Sequence, residues 1–184
     1  ILLTVTPAPP FETTKPMGLK NLYKASPLGV VGLFILGAIF GAIFGMTAIF
    51  GSEIGMSVPE ISIFVATIYF GGLLFQMPIG WLSDRIDRRF LIIFVSTIGG
   101  FCSILLFVIS YNYVVYLVFM FFIGGMVNPL YSLFIAYTND FLEHDDMAAA
   151  AGGLVFINGL GAIIGPLAVG FLMSNFGPDA FFVY

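Results

Sequence analysis

Charge is what this sequence is short of. Only 9% of its 184 residues are Asp, Glu, Lys or Arg, against 60% that are hydrophobic. A soluble domain needs roughly a quarter of its residues charged to cover a water-facing surface. The shortage therefore excludes a soluble globular protein and points to one whose solvent is lipid. The formal charge of −4 rests on six cations and ten acids, so where the charges lie says more than their sum. No basic surface exists for nucleic acid, and that class of partner is excluded. Cysteine is nearly absent as well. Cys102 is alone, which rules out an internal disulfide or a C-x-x-C metal or redox motif and leaves a small buried hydrophobe. Histidine occurs once, as His144. The chain begins at Ile1 without a signal peptide, ends at Tyr184 within an apolar run, and reads as a piece of a longer polypeptide.

What is present is long apolar runs. They are continuous rather than alternating, which predicts helices and not a β-barrel. At 1.5 Å per residue, about 20 residues cross the ~30 Å hydrocarbon core of a bilayer. Five runs qualify, at about 30–50, 61–82, 90–109, 113–137 and 148–173, and a sixth opens at 180–184. The fold class is all-α integral membrane, with residues 28–184 as the membrane unit. Residues 1–27 differ in kind. Pro7, Pro9, Pro10, Pro16 and Pro27 forbid a spanning helix there. Leu19, Leu22 and Tyr23 allow a short helix lying on the membrane surface, with an unstructured linker as the alternative.

The densest charge lies between the second and third runs, in Gly80-Trp-Leu-Ser-Asp84-Arg85-Ile-Asp87-Arg88-Arg89. Such a knot cannot sit in hydrocarbon and is predicted to be a tight surface turn. If that turn faces the cytoplasm, alternation places residues 1–27, 83–89 and 139–147 there too. All six Lys and Arg then fall on one side, in accord with the positive-inside rule.

Small and polar residues mark the spans. Gly37, Gly41 and Gly45 repeat at four-residue spacing in the first, and Gly161, Gly165 and Pro166 recur in the fifth. Such faces admit a second backbone at close range, unless the span is simply glycine-rich with no special partner. Gln76 is either interhelical glue or a ligand contact. Asn128-Pro129 interrupts the fourth span and is either a substrate-binding discontinuity or a packed kink. Asn158, Thr47 and Tyr69 complete the candidate cavity residues. None of these is charged, and the spans contain no mid-membrane acid, base or metal ligand. Asp140, Glu143, His144, Asp145 and Asp146 are contiguous and lack an i,i+4 His partner, so a solvated loop fits them better than a metal site.

The charged turn resembles the signature loop of the major facilitator superfamily, roughly G-x-x-x-D-R-x-G-R-R/K. Gly80, Asp84, Arg85, Arg88 and Arg89 match it, and Asp87 stands where the family has Gly. Gly161–Gly170 with Gly165-Pro166 resembles the family's glycine-proline motif. The proline-rich, cationic start, the looser loop and a fourth span without arginine resemble the C-terminal half, so spans one to five would be helices seven to eleven and Ala180 would open helix twelve. The run Leu22–Gly32 is similar to bacterial members of unassigned specificity. The resemblance implies secondary transport of a small solute by alternating access, in the bacterial inner membrane, with the N-terminal half of the same transporter as partner and no cofactor. It also implies that Asp84 meets a helix end of that missing half and that Arg85 pairs with Asp140, or else Glu143, as a conformational latch. A receptor or sensor without transport is the alternative. A membrane enzyme has only His144 and its acidic neighbours to work with, and a channel filter is not visible.

The topology is testable. A reporter fused after Tyr111 should be exposed on the non-cytoplasmic face, and cytoplasmic reporter activity at that point would invert the assignment.

Overall fold

A computed structural model describes residues 17–109 and 111–184. Pro7, Pro9, Pro10, Lys15 and Pro16, and Ser110 of the connection after the third span, lie outside the described residues. The elements are α1 (Leu19–Ala25), α2 (Pro27–Glu53), α3 (Val58–Ser83), α4 (Arg88–Val108), α5 (Tyr113–Asn139) and α6 (His144–Phe176), followed by a 3-10 turn at Pro178–Phe182. Helices α2 to α6 are each long and apolar enough to cross a membrane. The described residues form an integral membrane bundle with five spans.

Several spans begin at a side-chain cap. Pro27 occupies the first turn of α2, where a missing N–H costs nothing, and Ser26 accepts from Gly29 N at 3.3 Å. At α3 the Glu60 carboxylate accepts from the Ser57 N–H at 2.8 Å and from its hydroxyl at 2.6 Å. Asn112 caps α5 through Val115 N at 3.2 Å. The expected loop 139–147 stops at Glu143, because His144, Asp145 and Asp146 form the first turn of α6. Carboxylates there face the positive end of the helix dipole. Helix α3 continues through Pro78 to Ser83.

Two interlocked pairs build the bundle. On α2, a Cβ at Gly37 would overlap the carbonyl oxygen of Asn158, and one at Gly41 that of Ala162, both on α6. The relation is reciprocal, since Gly161 and Gly165 of α6 press against the carbonyls of Phe34 and Ala38. Helices α3 and α5 repeat the arrangement, with Gly71 on the Phe121 carbonyl and Gly124 on that of Ile68. Backbones this close gain dispersion and Cα–H···O contacts that replace the hydrophobic driving force absent in lipid. Helix α4 packs on α5, and α2 joins the two pairs by packing on α5 and α3.

The two ends differ. At the end away from the charged turn, rings fill the core. Phe50, fully buried, lies 5.1 Å from Phe181 and 4.9 Å from Phe182 between centroids, and Phe64 and Tyr116 close the cluster. Ser103 of α4 donates to the Phe182 carbonyl at 2.8 Å. The sixth span expected from Ala180 is thus a 3-10 turn here. Gly177, at φ 91°, turns the chain sharply and sends both phenylalanines inward. At the charged end α1 docks on the bundle. Its Leu22 is fully buried, and a Cβ on Gly153 of α6 would come 2.9 Å from it. Leu19 and Tyr23 stay half exposed beside Lys20 and Lys24, the pattern of a helix at a lipid surface.

Leucine at Gly37 or Gly161 should force α2 and α6 apart and destabilise the bundle by about 1–3 kcal/mol or more. Gly159→Ala is the control, since a Cβ there meets nothing within 4 Å. Thermal unfolding in detergent should show a lowered transition for the first two and an unchanged or slightly raised one for the third.

Candidate functional site

The charged turn leaves four residues between helices, Asp84 to Asp87, and its own side chains fold it. Asp87 accepts from Arg89 N at 2.7 Å and Phe90 N at 3.2 Å, and so caps α4. That is a local reason for an acid where the loop pattern has glycine. The signal was in the sequence, an Asp three residues before the start of a long apolar run.

Capping α4 aims Arg88 back across the turn. Its Nε donates to Ser83 Oγ at 3.3 Å, its Nη2 lies 3.7 Å from Asp84 Oδ1, and its Nη1 bonds Asp140 Oδ1. Ser83 and Asp84 end α3, Arg88 begins α4, and Asp140 ends α5. One guanidinium therefore ties three helices together, with its side chain only 27% exposed. A planar fork with several donors suits this in a way a lysine would not.

The cation bonded to Asp140 is therefore Arg88 and not Arg85. Arg85 stands one turn beyond Trp81, and its guanidinium lies over the indole, 3.5 Å from the ring centroid. That stacking is a cation–π contact that needs no carboxylate. Glu143 caps the start of α6 without a side-chain bond. Asp84 keeps 77% of its side chain exposed, and a Cβ at Gly80 would meet nothing within 4 Å. Gly80, Asp84, Arg85 and Arg89 therefore present an open surface around a turn fastened by Arg88.

The polar residues within the spans bond either a neighbouring helix or their own backbone one turn back. Gln76 of α3 donates to Ser132 of α5 at 3.1 Å, and Asn158 of α6 donates to the Leu33 carbonyl of α2 at 3.0 Å. Asn128 donates to the Gly124 carbonyl one turn back at 2.8 Å, in space left by Gly72. Thr47, buried, bonds the Ile43 carbonyl of its own helix. Tyr69 is 54% exposed. Among the described residues no buried side-chain nitrogen or oxygen lacks a partner. Ser26 and Thr138 extend the list. Their hydroxyls lie 3.4 Å apart and join the start of α2 to the end of α5.

An apolar cleft of about 320 Å³ opens between α2, α4 and α5 beneath Phe181–Tyr184. Gly99, Gly100, Ser103 and Ala42 are among its walls, and none of the five candidate cavity residues lines it. The structure thus divides the polar candidates from the cleft. Four of the five, Gln76, Asn128, Asn158 and Thr47, make hydrogen bonds within the bundle.

Comparison with known proteins fits this bundle and its turn. The chain is 31% identical over 173 residues to YfkF of Bacillus subtilis, an uncharacterized MFS-type transporter, with 91% of this chain and 43% of the relative covered. It is 28% identical over 159 residues to YcaD of Escherichia coli, another uncharacterized MFS-type transporter, with 85% and 40% covered. The chain thus spans less than half the length of these relatives. The profile described as Major Facilitator Superfamily matches residues 28–184, which include every spanning helix and the charged turn, and the chain belongs to that superfamily.

Proposed function

We propose that this chain is the C-terminal half of a secondary transporter that moves a small solute by alternating access. Its five spans are then helices seven to eleven, and the charged turn and α1 face the cytoplasm of a bacterial cell. The observation that carries the reading is the open surface around Arg88. Among the described residues nothing lies within 4 Å of a Cβ at Gly80, and Asp84 is largely exposed. A glycine with room beside it and a carboxylate with only one distant partner suit a second helical body that approaches and withdraws. The carboxylate would cap a helix end of that body. The other half of the bargain is rigidity, and the glycine-interlocked pairs supply it.

Arg88 holds the turn in shape while the partner comes and goes. Arg85 rests on Trp81 and is free to leave it, since an exposed cation–π contact is worth only about 0.5–1 kcal/mol. Alternating access needs two packings separated by a few kcal/mol, and contacts of this strength are suited to switching between them. The spans of this chain contain no mid-membrane acid or base, so a proton-coupling group, if the transporter uses one, belongs to the other half.

Saturable uptake with counterflow, measured on the full-length protein in proteoliposomes, is the expected outcome. Its absence across a broad solute panel would overturn transport and favour a sensor on the same fold. Within an active transporter, Arg88→Ala and Asp140→Ala should each slow uptake without preventing insertion. The double variant should be no slower than the worse single one, with a coupling of about 0.5–1 kcal/mol for a partly exposed pair. Arg85→Ala should be additive with Asp140→Ala. Strict additivity for Arg88 and Asp140 would remove the pair from the mechanism.

A further inference from the structure

Rings from three helices meet midway along the bundle. On α2, Phe40 and Phe44 lie one turn apart with centroids 5.3 Å from each other. Phe44 stacks on Tyr69 of α3 at 5.1 Å with planes 19° apart, and Phe40 reaches Tyr131 of α5 at 6.5 Å. Unlike the sealed cluster around Phe50, this one is open. Phe44 is 41% and Tyr69 54% exposed, and Phe40 and Tyr131 are half buried.

The surroundings are polar but uncharged. Tyr69 and Gln76 lie two turns apart on one face of α3, and Asn128, Tyr131 and Ser132 are clustered on α5. The two amides are engaged by Ser132 and by the Gly124 carbonyl. The Tyr113 hydroxyl bonds the Glu60 carbonyl, whereas neither the Tyr69 nor the Tyr131 hydroxyl has a protein partner among the described residues. No Asp, Glu, Lys, Arg or His occurs in α2 before Glu53, in α3 after Glu60, or anywhere in α5. Polar groups collected at the seam of three helices belong on a solute pathway rather than against lipid.

Resting on the reading of this chain as one wall of a solute pathway, we propose that Phe40, Phe44, Tyr69 and Tyr131 bind an uncharged, planar aromatic solute. Ring faces favour offset stacking with another ring. The two free phenols supply a donor or acceptor for a ring substituent. A charged solute finds no counter-ion on these helices and would lose its hydration without compensation. A polyol needs more hydrogen-bonding groups than two phenols offer. An alkyl chain would leave the phenols unpaired.

The test is photolabelling of the full-length protein in lipid nanodiscs with benzophenone, a neutral photoreactive aromatic, followed by peptide mapping. Saturable labelling is expected in the Phe40–Phe44 peptide and near Tyr69 and Tyr131, displaced by excess 2-naphthol and not by sorbitol. Each lost ring should weaken half-saturation about 2- to 10-fold. Phe44→Ala with Tyr69→Ala should therefore shift it by about tenfold or more, while Phe44→Tyr retains it. Both rings are substantially exposed, so the pair of substitutions should leave thermal unfolding nearly unchanged, which separates lost binding from lost fold. Labelling that never saturates, that falls equally on Phe101 and Ile104 of α4, that persists in the double variant, or that sorbitol displaces would overturn the proposal. Labelling does not require turnover. Its failure alongside intact counterflow condemns the aromatic site alone, and failed counterflow with specific labelling condemns transport alone.

Discussion

The contact between bare backbones decides most of this structure. In lipid, burying a leucine against another helix gains little over leaving it in the acyl chains, so helices must find attraction elsewhere. Here glycine lets one helix place its Cα hydrogens against the carbonyls of the next, and each pair does so from both sides. Gly37 and Gly41 are matched by Gly161 and Gly165, and Gly71 is matched by Gly124. Side chains that would otherwise act as spacers are absent at those points. The same contacts fix the rotation of each helix about its axis. That rotation determines which residues are left to face the open seam.

The ends of the bundle are fastened by different chemistry. At one end, Phe50, Phe64, Tyr116, Phe181 and Phe182 form a sealed ring cluster with geometry close to a soluble protein core. At the other, Arg88 joins three helix ends through hydrogen bonds and charge. Rings packed in a dry cluster resist separation, whereas an ion pair at a wet surface exchanges easily with water and other partners. A body built this way is firm at the aromatic end. It keeps exchangeable contacts at the end where the superfamily's loop pattern lies.

Much of this was legible in the sequence. Span number and placement follow from apolar length alone, and the charged turn follows from the cost of charge in hydrocarbon. The identity of partners did not follow. The glycine repeat in α2 shows that some helix comes close, but nothing in it names α6, because any small-residue face would do. Arg85 and Arg88 are chemically identical, and their separate duties depend on Trp81 one turn earlier and on Asp87 capping α4. The polar candidates Gln76 and Asn158 could not be sorted into glue and ligand contacts without knowing the rotation of each helix. The 3-10 turn after Gly177 was hidden because Ala180–Tyr184 is as apolar as a span and too short to declare itself.

The pairing of α2 with α6 has a consequence for biosynthesis. Asn158 and the Leu33 carbonyl it bonds are 125 residues apart in sequence. At about 5–20 residues per second, the ribosome takes roughly 6 to 25 s to deliver the second after the first. For that interval the glycine face of α2 has left the ribosome without its mate. Three intervening spans arrive first, two of them, α3 and α5, with small-residue faces of their own. Correct assembly therefore depends on α3 and α5 claiming each other before either can settle in the berth reserved for α6.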